Sequence, residues 1–418
     1  MKIAFISYEY PPDTAFGGIA TYVRQAAQML QQRGHRVEVF AGAVAQACIP
    51  SMRVDDEAGV LVHRIAVRDR AEFSRAVGSV FAVRHQTVHF DVLEGPDCGA
   101  DAAEAVRLVP EIPLALKLHT PRYVLDQIGS PLRPWEAQAR WTLGALRRGK
   151  LPQRRAGYDR HTDPEYRHAL EADEIVAPSQ AIGQKVVTDW QLNSDLLASV
   201  PYPYIPAASL LNIPIQTHHN VVTFLGRLEV RKGVLDLVRA IPLVLHRYPQ
   251  VKFRFVGPAW NSPQPGMNMQ QYLESRLHLY QHAVEFTGGI PLDLIPAALA
   301  VTDICVFPSI WESFGLVCTE AMAAGRGIVA SNAGGMAELL DQGRYGHLVP
   351  PRSPRQIATA ICNLLQNPEQ RMRFGAQARD RVLSHYSLER IGALQEASYE
   401  RAIARRAVIG ARSIARVA

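Results

Sequence analysis

The stretch Phe307–Leu339, FPSIWESFGLVCTEAMAAGRGIVASNAGGMAEL, leaves few folds open to this chain. Ile304, Val306 and Phe307 end a short apolar run of the kind found in a parallel strand buried on both faces. A loop follows, and a helix is predicted to start near Phe314, Gly315 and Leu316. Gly325 stops that helix, and Gly327-Ile328-Val329-Ala330 resumes as a strand. Asn332 to Gly335 form a second glycine loop before the next helix, which carries Glu338. Backbone amides at a helix start lack intrahelical partners and carry partial positive charge, so they suit a phosphate or another electron-rich oxygen. Glu312 precedes the first helix and Glu320 lies about one turn into it. Two helix starts with acids between them describe a pocket for something polyhydroxylated and phosphorylated.

The chain has 418 residues, which suits two domains of about 200 each. With 48% hydrophobic and 20% charged residues it has the composition of a soluble globular protein. No apolar run approaches the 18 or so residues of a membrane span. Met1 to Ile6 is apolar but short and runs into the turn-like YEYPPD, so it reads as a first strand and not a signal peptide. Cys48, Cys98, Cys305, Cys318 and Cys362 have neither metal nor disulfide-framework spacing and fit a reducing cytoplasm. The net charge of +6 is uneven: residues 131–160 carry +6 and residues 401–418 carry +5, leaving −5 for the rest. Such local basicity argues against a nucleic-acid coat and for particular surface patches.

In chain order, residues 2–7 read as a strand and Tyr8 to Gly18 as a Pro- and Gly-rich loop. Apolar residues from Ile19 to Leu30 at helical spacing follow, and then the strand Val37 to Phe40. Gly17-Gly18 lets a ligand approach the backbone closely, yet it is not the pattern of a dinucleotide fold. Further strands are expected at 60–66, 88–93 and 114–118. The loop Glu94-Gly95-Pro96-Asp97 then sits at a strand's carboxyl end, where open α/β sheets place ligands, and His119 reaches the same edge. Residues 122–170 break the alternation: Pro134 to Arg148 suits a helix carrying Trp135 and Trp141 among arginines. Two readings stand for this basic stretch, a solvated flap or a surface for an anionic membrane or lipid-linked acceptor. Pro201 to Pro206, with three prolines in six residues, is the predicted linker. Beyond it, Gly226-Arg227-Leu228-Glu229-Val230-Arg231-Lys232-Gly233 follows a strand, and Arg and Lys five apart at a strand–loop–helix turn invite a diphosphate. Glu229 and Arg231 are read as surface residues. Strands are expected at 251–256, 284–287 and 303–307, with helices at 353–366, 368–385 and 388–406.

E-S-F-G-L-V-C-T-E, with seven residues between its glutamates and followed by EAMAAGRGIVASNAGGMAE, resembles the E-x7-E motif of retaining glycosyltransferases of family 4. GRLEVRKG likewise resembles that family's G-R-L-x-x-x-K-G segment, and ADEIVAPS its A-D-x-I-V-A-P-S segment. The resemblance implies a GT-B fold: two doubly wound Rossmann-like α/β domains facing across a cleft. The expected divisions are an acceptor-side domain at 1–203, a nucleotide-sugar-binding domain at 204–388, and a helix crossing back at 389–418 with a basic tail. It implies transfer of a sugar, with retention, from a nucleotide-diphosphate sugar to a glycan or lipid-linked acceptor hydroxyl, with UDP the first guess and GDP the second.

In that scheme Arg227 and Lys232 neutralise the leaving diphosphate in place of a metal, and no Asp-x-Asp triplet or cofactor is called for. Glu320 holds the ribose; Glu312 holds the sugar with the amides of Phe314, Gly315 and Leu316. Gly17, Gly18 and Gly257 border the donor, His119 lies near its sugar, and Glu94 faces the acceptor. The family also implies a cytoplasmic enzyme of polysaccharide or glycolipid assembly, peripheral to the inner face of the membrane if the basic stretch binds it. The rival readings are a nucleotide-sugar epimerase of the same fold and a non-catalytic nucleotide-sugar-binding protein.

Overall fold

Short β-branched runs separated by amphipathic segments give two parallel sheets wrapped by helices. The computed structural model describes residues 1–14, 17–45, 52–129, 158–410 and 412. Two compact units emerge. The first gathers residues up to Tyr123, Tyr158–Ile205 and the chain from His385; the second is centred on Pro206–Ser384.

The first unit contains β1 (Lys2–Ser7), β2 (Arg36–Val44), β3 (Met52–Glu57), β4 (Val60–Val67), β5 (Val92–Pro96), β6 (Leu114–Lys117), β7 (Glu174–Ala177) and β8 (Leu197–Ser199). They lie in the order β3-β4-β2-β1-β5-β6-β7-β8. Every pairing is parallel except β3 with β4. The order reverses at β1, which pairs with β2 on one side (Ile3 opposite Val37) and β5 on the other (Ile3 opposite Val92). That reversal opens a crevice beyond the carboxyl ends of β1 and β5.

The strand expected at 88–93 begins four residues later. Residues Arg70–Val88 are helical, and the buried Val88 and Phe90 fill the core from the helix end and its connection. The shift places Glu94 inside β5 instead of in the loop after it.

The final helix, Leu388–Ile409, belongs to the first unit. Gln395 Nε2 and the Tyr399 hydroxyl donate to Glu94 at 2.7 and 2.8 Å. Arg401 and Arg405 pair with Glu174, while Arg406 and Arg412 pair with Asp173. These arginines were expected to form a basic surface tail; they are instead committed to carboxylates of the unit's own strand edge. The basic stretch with Trp135 and Trp141 lies outside the described residues up to position 157.

The second unit contains β9 (Val221–Leu225), β10 (Lys252–Val256), β11 (Val284–Gly288), β12 (Ile304–Phe307), β13 (Gly327–Ser331) and β14 (His347–Val349). Their order is β11-β10-β9-β12-β13-β14, parallel throughout. Its core joins Phe224, Phe253 and Phe255 of the sheet to Leu237, Ile241 and Val244 of the helix Val234–Arg247 and Ile357 and Ile361 of the helix Pro354–Gln366. Here the order reverses at β9 and β12, so the loops 226–233 and 308–315 flank the crevice. Among the described residues no helix is long and apolar enough to cross a membrane.

Candidate functional site

The motif groups of the second unit converge on this reversal because each follows a strand that ends there. After β9 the chain makes a 3-10 turn, Val230–Lys232, and Gly233 starts the helix Val234–Arg247. Gly233 has φ 71°, and a Cβ there would lie 1.8 Å from the carbonyl oxygen of Pro308, so only glycine lets the loops after β9 and β12 touch. Ile310 N–H donates to the Arg231 carbonyl at 2.8 Å across the same seam. A matching seam joins the β12 and β13 loops, where Gly335 N–H donates to the Glu312 carbonyl at 2.8 Å. Gly334, at φ 68°, would place a Cβ 2.1 Å from that carbonyl.

These seams bring Lys232 and Glu312, eighty residues apart, into a direct ion pair with both side chains 14% exposed. Burial alone would raise the Glu312 carboxyl, but the charges of Lys232, Arg231 and Arg227 outweigh it and hold the group below the ordinary glutamate range. Burial draws Lys232 downward against the pull of Glu312. Arg231, expected at the surface, donates to Glu229 at 2.8 Å with both side chains less than a fifth exposed. Its charge is part of the cationic ring around Glu312.

The helix Leu316–Ala323 starts at Gly315, whose φ of 108° turns the chain out of the loop. Its start thus lies on the same loop as Glu312, and Phe314 is buried beside it. Glu320 is half-buried on this helix and its carboxylate makes no hydrogen bond among the described residues. Burial raises it to about 7. A carboxylate so placed gains by accepting bonds from a polyol, which return the solvation it lacks. Gly257 lies directly after β10, where its N–H donates to Gly288 O at 2.8 Å. The sequence reading missed Trp260 in that loop: the Arg227 guanidinium carbon sits 4.9 Å over its ring centroid. A separate groove of about 490 Å³, lined by Arg239, Leu243 and Arg355, contains none of these groups.

The predicted residues of the first unit are more dispersed in role. Gly17 caps the helix Gly18–Gln32 in extended backbone (φ −140°), and a Cβ there would meet only Glu9 Oε2, at an ordinary 3.5 Å. His119 follows β6 and is buried; its Nδ1 meets the Tyr202 hydroxyl at 2.5 Å, and its backbone N–H donates to Asp97 Oδ1 at 3.0 Å. Burial, with Lys117 and Arg70 nearby, lowers the imidazole to about 3, so the ring is neutral.

Glu94 is not presented to a ligand. It is 2% exposed, and its oxygens accept from Tyr22, Gln395 and Tyr399, which holds two helices against the sheet. Beneath it Lys117 is buried and lowered to about 7 by desolvation, with its ammonium 4.6 Å over the Tyr22 ring. Asp97, raised to about 8 by burial and by Glu165, holds the β5 and β6 loops together through the N–H groups of Cys98 and His119. Among the described residues no cluster of three or more His, Cys, Asp or Glu is arranged to hold a metal ion.

Comparison with known proteins accounts for both halves. The model of "Glycosyltransferase Family 4" matches residues 16–203, and that of "Glycosyl transferases group 1" matches residues 219–367. A phosphatidyl-myo-inositol mannosyltransferase of Mycobacterium leprae is 29% identical over 398 residues, 91% of this chain and 92% of its own. Among solved structures, sucrose-phosphate synthase from Thermosynechococcus elongatus superposes with TM-score 0.74 at 22% identity, covering 96% of this chain and 99% of that one. Anabaena HepE in complex with UDP superposes with TM-score 0.65 at 19% identity, over 96% and 100%. The folds agree in having two Rossmann-like parallel sheets, the GT-B architecture. With the motif loops seated at the reversal of the second sheet and both halves matched, this chain belongs to the family 4, group 1 glycosyltransferases.

Proposed function

We propose that the protein moves a hexose from a nucleoside-diphosphate sugar to an acceptor hydroxyl with retention of anomeric configuration, and that the second unit binds the donor. The observation that carries this reading is the cationic set Arg227, Arg231 and Lys232 around Glu312, with Glu320 about one turn into the helix that follows, at the reversal point of a parallel sheet. A diphosphate needs fixed positive charge, and a ribose needs an acceptor carboxylate; both chemistries stand on adjoining loops.

Glu312 is paired with Lys232. Phosphate oxygens arriving at Lys232 accept its N–H hydrogen bonds and release Glu312 toward the sugar hydroxyls, so donor binding exchanges one ion pair for another. Arg227 and Lys232 then stabilise the negative charge that develops as the glycosidic bond to phosphate breaks. By resemblance to the retaining enzymes of this family, the acceptor oxygen attacks from the face the diphosphate leaves, and its proton passes to the departing phosphate oxygen. UDP is the first choice of nucleotide and GDP the second, with a glycan or lipid-linked hydroxyl as acceptor.

The test is a thermal-shift panel of UDP-, GDP- and ADP-sugars followed by assay of nucleoside diphosphate release. A ligand at 100 times its dissociation constant adds about 2.7 kcal/mol of stability. The anomeric configuration of the product, read by NMR coupling, tests retention. Silence across the panel, or an inverted product, refutes the corresponding part.

A further inference from the structure

The loops after β9 and β10 run side by side. Gly226 N–H donates to Val256 O, Leu228 N–H to Pro258 O and Trp260 N–H to Leu228 O, at 2.9, 2.9 and 3.0 Å. Met269 N–H donates to the Trp260 carbonyl at 2.6 Å, and Asn261 and Asn268 form an antiparallel bridge that closes the rest of the loop. Trp260 is therefore pinned by its backbone beside Arg227, yet its indole is 50% exposed and fills no core. What covers the ring is the Arg227 guanidinium, 4.9 Å over its centroid.

The other group near Arg227 holds it weakly. Glu229 Oε1 lies 3.4 Å from Arg227 but 2.8 Å from Arg231, to which it is hydrogen-bonded. A carboxylate consumes the N–H edge of a guanidinium, whereas an aromatic face attracts the cation and leaves the planar fork of donors free. Lys232 shows the contrast, since its ammonium is already engaged by Glu312.

We propose that Trp260 is a positioning residue for the donor: its indole face holds Arg227 in place with the N–H edge left for diphosphate oxygens. The inference rests on the donor reading above. It also assigns a distinct origin to affinity, because a long arginine side chain that is already ordered loses less freedom when phosphate arrives.

The test titrates the full-length protein with inorganic pyrophosphate, with the preferred nucleoside diphosphate, and with the matching nucleoside. Trp260→Ala should weaken pyrophosphate and nucleoside diphosphate by about 2- to 5-fold, the range of an exposed cation–π contact. Trp260→Phe should recover most of the loss, and nucleoside binding should not change. In an Arg227→Ala background, Trp260→Ala should cost nothing more. A melting curve confirms that the variants fold, as expected for a half-exposed side chain. Equal losses for nucleoside and pyrophosphate overturn the proposal and make the indole a platform for the base. Unchanged binding in Trp260→Ala, or a loss that persists without Arg227, overturns it as well while leaving the donor reading intact. A wild-type protein that binds neither pyrophosphate nor any of UDP, GDP and ADP brings down both.

Discussion

Glu312 and Glu320 share a motif but sit in opposite electrostatic settings, and this separates their expected behaviour. Glu312 is held ionised by three cations, whereas Glu320 faces burial without a compensating charge and is raised to about 7. A carboxyl raised on folding contributes full stability below its unfolded value near 4.5 and loses it as pH climbs through about 7. Glu320→Gln should therefore match the wild type at pH 5 and melt higher at pH 8, by about 1–2 kcal/mol after allowance for partial exposure. The same variant should weaken nucleoside diphosphate, and in the wild type that affinity should rise between pH 6 and 8 as the better acceptor forms. Glu312→Gln removes the carboxylate that competes with phosphate for Lys232, so it should not weaken nucleoside diphosphate, while it lowers turnover, since contacts made in the transition state appear in the rate. Calorimetry with the bare nucleotide and steady-state kinetics with the donor check both. Arg227→Ala and Lys232→Ala should each lower turnover by about 10²-fold, the cost of one preorganised electrostatic partner. Wild-type rates in both would remove the loop from the chemistry. The identity of these four residues was legible from local motif and spacing. That Lys232 and Glu312 neutralise one another was not, because nothing local reports a contact across eighty positions.

At the scale of elements, the site depends on loops that touch backbone to backbone. Gly233→Ala and Gly334→Ala put a methyl group into the carbonyls of Pro308 and Glu312 and force a left-handed φ on alanine. Each should destabilise by about 1–3 kcal/mol or more and loosen the Lys232–Glu312 pair, seen as a lower melting temperature and weaker donor binding. Gly17→Ala, in extended backbone with an ordinary contact, should leave stability unchanged, so a loss of donor binding there would report on the ligand alone. The long central strands and the helices after residue 353 were readable because apolar periodicity fixes them. The short edge strands β3, β8 and β14 were not. β3 is MRVDDE, alternately exposed and half-buried, and the polar partners on its faces hide it. The apolar Val88 and Phe90 drew a strand four residues too early because a helix end and a loop can bury side chains as well as a strand does. That single slip turned Glu94 from a buried hydrogen-bond acceptor into an apparent ligand-facing loop residue.

On the scale of the whole molecule, the core of the second unit lies within one continuous segment, Pro206–Ser384, whereas the first unit is assembled from three. Residues 206–384, with their own core, should fold alone with a single cooperative transition. Residues 1–205 alone lack the helix that satisfies Glu94, Asp173 and Glu174, leaving charged groups without partners at what becomes an exposed face. That fragment should be soluble only poorly, and a peptide spanning 385–412 supplied in trans should raise its melting temperature. Two parallel sheets were foreseeable from the alternation of strands and helices. The ownership of the last helix came only from the family resemblance, because five arginines in eighteen residues look the same on a free tail as on a clamp.

The discontinuous first unit has a consequence for synthesis. Its strands leave the ribosome first, yet the segment that closes it follows roughly 180 residues later. At about 5–20 residues per second that is a wait of roughly 10–40 s. Throughout that interval the nascent chain carries a sheet with its Glu94 and Asp173 face uncovered, while the second unit is made and can fold to completion. The half translated first is finished last, and the interval is the natural window for a ribosome-associated chaperone to engage it.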